Sequence, residues 1–326
     1  MLAFLTRRIL GGLVILLVVC AVTFVMFYVA PGNDVARLAC GRTCSPELIA
    51  SVAHQLGTDK PVWQQFLDYL AGIFTGRSIA DTYCSAPCLG YSFHNHRPVL
   101  DTILDRIPVT FSLTVGAVVM FLVVGIGLGL LAALRKGKFA DKAAMGFAVL
   151  GGAQQIFVLG PFLLFLFVYS THLMEVPSYT SFFDNPVKWG TGLFLPWVCL
   201  AIITAAAYAR FTRSSMVEVL NEDYVRTVRA KGMGNANVYL KHAFRGAMSP
   251  IATLLGLDIA VLLGGALVTE TVFNLPGIGQ LAVFSVQDSD LPVMMAVVLL
   301  AATAVVVANI VVDVVYAFID PRVRLG

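Results

Sequence analysis

Charge is scarce in this chain. Of its 326 residues only 13% are Asp, Glu, Lys or Arg, whereas 58% are hydrophobic, and the mean hydropathy is +0.84. A soluble core of this length cannot bury so much apolar surface, which excludes a water-soluble globular domain and leaves an integral membrane protein. The formal net charge of +3 gives no footing for a nucleic acid partner. Chemical motifs are missing too. There is no G-x4-G-K-[ST] loop, and the one Gly-Lys pair, Gly137-Lys138, is followed by Phe139, so the chain cannot cradle nucleotide phosphates by that device. Neither G-x-S-x-G nor H-E-x-x-H occurs. No catalytic residue is assigned, and a conduit is the default reading over an enzyme.

What is present is length in the apolar runs. A hydrocarbon layer about 30 Å thick needs roughly 20 helical residues. Six runs meet that need: Ile9–Ala30, Pro108–Leu134, Ala143–Thr171, Thr191–Ala209, Met248–Val272 and Pro292–Ile319. The first, preceded by Arg7 and Arg8, is too long for a signal peptide and lacks a small-residue cleavage pattern, so it is expected to be retained. The expected organisation is an N-terminus and first transmembrane helix over 1–30, an outer helical segment over 31–107, a five-helix core over 108–319 and a tail over 320–326. Alternate connecting segments carry 15 Lys and Arg residues; on the other side the short loops carry one, Lys188. Short loops set orientation, so both termini are expected in the cytoplasm.

The outer segment has its own pattern. Ser45 and Pro46 open a short helix with Leu48, Ile49, Val52 and Leu56 apolar, stopping at Gly57, and "KPVWQQFLDYLAGIF" repeats the idea with Val62, Phe66, Leu67 and Leu70. The expectation is a small helical cap on the outer membrane surface. Cys20 and Cys199 fall inside spans and read as small buried residues. Cys40, Cys44, Cys84 and Cys88 lie in the outer segment, where an even set on an oxidising face reads as disulfides. Identical C-x3-C spacing favours local Cys40–Cys44 and Cys84–Cys88 bridges, although four cysteines allow three connectivities. Two such pairs are a poor zinc framework, and the His94-x-His96 pair has no carboxylate cluster beside it in sequence. No metal site is assigned.

Between the fourth and fifth runs, over 210–247, the chain turns polar and basic. In "NEDYVRTVRAKGMGNANVYLKHAFRGAMSP", Asn221 is a candidate N-cap, Glu222 and Asp223 put negative charge in the first turn, and Arg229 and Lys231 put positive charge in the last before Gly232 closes the helix. Tyr224, Val225 and Val228 form a narrow apolar stripe, and Arg226 and Arg229 share a face. Asn235 opens a second helix. Two caps and a tight glycine turn fit docking to a protein partner; an interfacial helix on anionic lipid is the alternative. Asp258, in a run where Gly256, Ala260 and Gly264 recur every four residues, cannot cheaply face lipid. It is expected on an aqueous route or against a partner subunit in the membrane, the alternative being a buried, paired carboxylate.

This stretch resembles the cytoplasmic coupling loop of permease subunits of ABC importers, and its "RT-R-AKG" form resembles the oligopeptide and dipeptide branch, which also includes nickel permeases. The likeness extends through "RRILGGLVILLVVCAVTFVMFYVAPG", "RPVLDTILDRIPVTFSLTV", "ARFTRSSMVEVLNEDY", "GGALVTETVFNLPGIGQL" and "VVDVVYAFIDPRVR". It implies an all-α, six-span type I permease in a bacterial inner membrane. It further implies a second homologous permease, two cytoplasmic ATPase subunits that hold ATP and Mg, and an extracytoplasmic substrate-binding protein that delivers peptide. No cofactor is implied on this chain itself. The loop's first helix then maps onto Tyr224, Val225, Arg226, Thr227, Val228, Arg229, Ala230 and Lys231, with Gly232 as the turn. Arg226, Thr227 and Val228 stand where the loop's Glu-Ala-Ala motif would be, and the outer cysteines look like additions. A nickel importer of the same family and an ion-coupled secondary transporter remain as alternatives; the second predicts more ionisable groups in the spans than Asp258 and Asp313 and internal repeats.

Overall fold

The computed structural model describes residues 2–29, 36–37, 45–56, 58–79, 82–92, 94–264 and 266–319. Cys40, Cys44, the expected helix stop at Gly57 and the tail over 320–326 lie outside them.

A lipid-facing helix needs no polar face, and α1 (Leu2–Phe24), extended by a π-helical turn over Val25–Val29, accordingly leaves most of its apolar side chains on the outside. Two shorter helices follow, α2 (Pro46–Leu56) and α3 (Val62–Thr75). The inner face of α3 is Phe66, Tyr69, Leu70 and Ile73, packed on Cys20 and Phe24 of α1 and on Met295. Val62 and Leu67, expected on that face, are exposed instead. Two antiparallel hairpins come next: β1 (Arg77–Ile79) with β2 (Thr82–Cys84), and β3 (Tyr91–Ser92) with β4 (Arg97–Pro98). Cys84 and Cys88 are joined, with Cα atoms 5.5 Å apart, and are buried with Ile79. The bridge is local, so the crossed pairings of Cys84 and Cys88 are ruled out. Closing so short a loop constrains the unfolded chain little. Replacing both cysteines by serine is expected to cost about 2 kcal/mol, against nearly 5 for a loop of about 100 residues. Thermal unfolding with and without reductant measures this, and an unchanged midpoint contradicts it.

The core is the pair α4 (Val99–Leu134) and α7 (Pro186–Val219), in extensive contact along their length. Small residues allow the approach. A Cβ on Gly125 would come within 2.6 Å of Tyr208, and one on Gly129 within 2.5 Å of Thr212. Around this pair lie α5 (Phe139–Gly152), α6 (Ile156–Leu164) with a π-helical end over Phe165–Ser170, α8 (Asp223–Ala230), α9 (Asn235–Asn237), α10 (Phe244–Leu263), α11 (Leu267–Val272), α12 (Ile278–Gln287) and α13 (Leu291–Ile319).

Among the described residues four helices are long and apolar enough to cross a membrane: α1, α4, α7 and α13. Two of the six expected runs are not single helices. The run Ala143–Thr171 is bent by 100° between Gly152 and Ile156, where Gln154 and Gln155 interrupt the apolar pattern. The run Met248–Val272 is broken after Leu263. Gly264 caps α10, and Ala266 has a non-helical ψ of 58° before α11 begins.

Candidate functional site

Three polar constellations are built on this frame. The first is the basic loop. Asn221 does not cap α8: its side-chain nitrogen donates to Val217 O at 2.9 Å and closes α7, while Glu222 takes the extended N-cap conformation. The reason is competition, since α7 ends at Val219 and its last carbonyls claim the nearest donor. Asp223 then lies in the first turn of α8 and Arg229 in the last, each favourable to the helix dipole. Arg226 Nη1 lies 3.6 Å from Asp223 Oδ1 and Arg229 sits over the Tyr239 ring at 5.7 Å. Gly232 N donates to Arg229 O at 2.9 Å, and Gly232 has φ +79°. No atom lies within 4 Å of where its Cβ would be, so the glycine is required by the backbone alone.

The apolar stripe divides. Val225 is 0% exposed and faces the protein, as does Val238, whereas Tyr224 is 46% exposed. Tyr224 reaches over Gly246 of α10, where a Cβ would meet its hydroxyl at 2.8 Å. The second helix is not a separate unit. From Asn235 the chain runs through a π-helical segment, Val238–Ala243, straight into α10. Ala243 and Ala247 pack with Met216 of α7 and Ala133 of α4, which ties the loop to the central helix pair. From Asn235 on the loop is continuous with α10, and only the turn over residues 231–234 separates it from α8.

The second constellation is Asp258. Its carboxylate turns toward α7, where Tyr208 Oη donates to Oδ2 at 2.7 Å and Tyr208 packs on Phe121 at 4.9 Å. The carboxylate is half-buried and paired with Tyr208. A double-mutant cycle with Tyr208→Phe and Asp258→Leu is expected to give a coupling of about 1.5–3 kcal/mol, the range for hydrogen bonds to charged groups. Additive losses in unfolding midpoint would contradict the pairing.

Residues outside the sequence-based set form the third. Glu270 on α11 is 0% exposed. Thr110 Oγ1 donates to its Oε1 at 2.7 Å and Gln280 N to its Oε2 at 3.0 Å; Ile278 N in turn donates to Thr110 Oγ1 at 2.9 Å. The carboxylate thus sits on the N-terminus of α12, where unpaired N–H groups and the helix dipole favour an anion. Gly277 is obligatory beside it, because a Cβ there would lie 2.4 Å from the carboxylate. Arg106 Nη1 reaches Gln280 Oε1 at 3.4 Å, and Gln280 Nε2 donates to Asn274 Oδ1 at 2.9 Å. On the opposite end, Arg213 Nε and Nη2 donate to the two oxygens of Asp141, the latter at 2.9 Å, with Gly137 N adding a third bond at 2.9 Å. An acid near a Gly-Lys turn, followed by a basic stretch on α7, was the only sequence signal for that pair. Among the described residues no cluster of three metal-ligating side chains exists, and His94 Nε2 lies 3.6 Å from Asp288 Oδ2.

The arrangement consists of a braced basic loop, polar networks that join helices, and long apolar helices. Known proteins resemble it. Residues 1–114 match the model for the N-terminal part of the binding-protein-dependent transport system membrane component, and residues 125–325 match the binding-protein-dependent transport system inner membrane component. The chain is 35% identical over 321 residues to the probable peptide ABC transporter permease protein y4tP of Sinorhizobium fredii, covering 98% of this chain and 99% of the relative. It is 37% identical over 349 residues to the dipeptide transport system permease protein DppB of Escherichia coli (strain K12), covering 99% of each. With the glutathione transport system permease protein GsiC of the same strain it shares 38% over 324 residues, again 99% of each. In structure it resembles a chain of the inward-facing MetNI methionine ABC transporter, with a TM-score of 0.53, 13% identity, and coverage of 68% of this chain and 97% of that one. That last likeness shows a shared fold. The chain therefore belongs to the binding-protein-dependent transport system inner membrane component family, and it is a multi-pass membrane permease subunit of the ABC transporter type.

Proposed function

We propose that this chain is one of two homologous permeases of a peptide importer, and that α8 is the element by which cytoplasmic ATPase subunits move it. The observation that carries this reading is the continuity from α8, through the Gly232 turn and the Val238–Ala243 segment, into α10. A rigid element of this kind transmits a partner's displacement into the helices it joins. Tyr224, Arg226 and Arg229 are exposed on α8 and give a partner an apolar contact on one side of the helix and two positive charges on the other. ATP and Mg belong to the ATPase subunits, and an extracytoplasmic binding protein delivers the substrate.

Di- and oligopeptides are the substrate class supported by relatives that are named for peptide, dipeptide and glutathione transport. Six crossings follow if the bent pair α5–α6 counts as one and α10 as another, and the asymmetry of Lys and Arg supports both termini in the cytoplasm of a bacterial cell. The test is reconstitution of this chain with its partner permease, ATPases and binding protein in liposomes. The reading predicts uptake of labelled dipeptide that needs ATP and does not respond to an ion gradient. Uptake driven by an ion gradient through this chain alone would overturn it.

A further inference from the structure

We propose that the outer segment holds a binding site for the carboxylate end of a short peptide, with Arg77 and Tyr69 as its donors. The site is a cavity of about 410 Å³ between the outer end of α1, α3, β1 and the start of α13. That volume falls in the range of small-molecule sites, about 300–1,000 Å³. Tyr28, Lys60, Asp68, Tyr69 and Arg77 line it. The Arg77 guanidinium lies 5.1 Å above the Tyr69 ring. Arg77 Nε and the Tyr69 hydroxyl are both buried, and neither has a hydrogen-bond partner among the described residues. Tyr69 as a whole is 2% exposed.

Arg77 and Tyr69 both line this cavity and each carries a buried donor without an acceptor, a costly arrangement that an accepting ligand relieves. The ligand must be an acceptor, since a guanidinium only donates and burial holds the Tyr69 hydroxyl protonated. It should also be anionic. Lys60 is spent on Asp68, with Nζ 2.7 Å from Oδ2, which leaves the Arg77 charge to be matched. A planar guanidinium suits a carboxylate.

The fold holds Arg77 for this purpose. Its register partner in the hairpin is Cys84, so the Cys84–Cys88 bridge braces the strand that carries it. Gly72 makes the room: a Cβ there would lie 2.8 Å from the Arg77 side chain. The side of α3 on which the cavity lies favours a soluble ligand. On α3, the cavity side (Gln65, Tyr69, Gly72) is about 180° around the helix from Trp63, Leu67 and Phe74 at 100° per residue. Those three are exposed and apolar, which is the face that suits hydrocarbon, so a lipid headgroup approaching from that face does not meet Arg77.

The choice of a peptide as the carboxylate's bearer rests on the import reading above; the donor pair does not. The test uses the full chain in lipid nanodiscs, without ATPases or binding protein, and ligand-observed NMR with dialanine and its C-terminal amide. Dialanine is expected to bind and the amide to bind at least about 10-fold more weakly. Arg77→Gln should weaken dialanine binding by about 10- to 100-fold. Tyr69→Phe deletes one unpartnered oxygen, so thermal stability should hold or rise while binding falls about 10-fold. Equal binding of acid and amide, no binding of either, or parental affinity in both variants would overturn the proposal. A separate titration of the nanodiscs with the substrate-binding protein, in which Arg77→Gln weakened that affinity while leaving dialanine binding at the parental level, would also overturn it and make the cavity a socket for an acidic side chain of that partner. Acid-selective binding together with failure of ATP-driven uptake would instead overturn the import reading alone.

Discussion

Replacing Glu270 by alanine is expected to remove about 3–5 kcal/mol of folded stability. The carboxylate is 0% exposed and binds Thr110 Oγ1 and Gln280 N, on two different helices. Truncation leaves those two donors buried and without an acceptor, at about 1–3 kcal/mol each, and adds a cavity. It also releases the turn at Asn274–Ile278, because Gly277 is shaped around the carboxylate. Glu270→Gln keeps the volume and one acceptor oxygen but faces its NH2 toward a donor, so its expected cost is smaller, about 1–2 kcal/mol. The quantity to measure is the unfolding midpoint of the detergent-solubilised chain. An alanine variant as stable as the parent would mean that Glu270 does not lock α11 to α4 and α12.

The second large effect is functional rather than structural. Gly232→Val places a β-branched residue at φ +79°, a conformation that costs such side chains about 1–3 kcal/mol. Nothing surrounds the position within 4 Å, so the substitution meets no clash and the helices should still insert and fold. What changes is the angle between α8 and the segment leading into α10. Substrate-stimulated ATP hydrolysis by the assembled complex is expected to fall by at least about 10-fold, while the chain still accumulates in the membrane. Gly232→Asn is the control, because Asn tolerates the left-handed region and should retain most of the activity. Equal loss in both variants would point to a contact at this position and not to its backbone. Full activity in the valine variant would contradict the coupling role.

These expectations differ in how far the sequence alone supports them. The helix over Pro46–Leu56, the Cys84–Cys88 bridge, the short basic helix and the positive φ at Gly232 each depend on residues within a few positions of one another. Local rules suffice for such features. The breaks at 152–156 and after Leu263 do not follow from hydropathy, since both lie inside long apolar runs, the first interrupted only by Gln154 and Gln155. Where a glycine pair ends a helix, as against packing within it, is decided by neighbouring helices. Asn221 illustrates a closer contest, because its side chain serves the helix it follows and not the one it precedes. Glu270 was illegible for a different reason. Its partner Thr110 is 160 positions away, and an isolated Glu in "VTETVF" carries no periodic or spacing signal. Likewise Asp258 announced itself as an acid in an apolar run, but its partner Tyr208 did not.

The proposed coupling depends on contact between α8 and an ATPase subunit on the cytoplasmic side. A photo-crosslinking amino acid placed at Tyr224, which is 46% exposed, probes that contact in the assembled transporter. The same probe at Phe183, exposed in the loop between α6 and α7, is the control. If α8 docks on the ATPase, position 224 forms an adduct with that subunit and position 183 forms none. An ATPase adduct from position 183, or none from position 224 in a complex that hydrolyses ATP, would contradict both the orientation of the chain and the role of its loop.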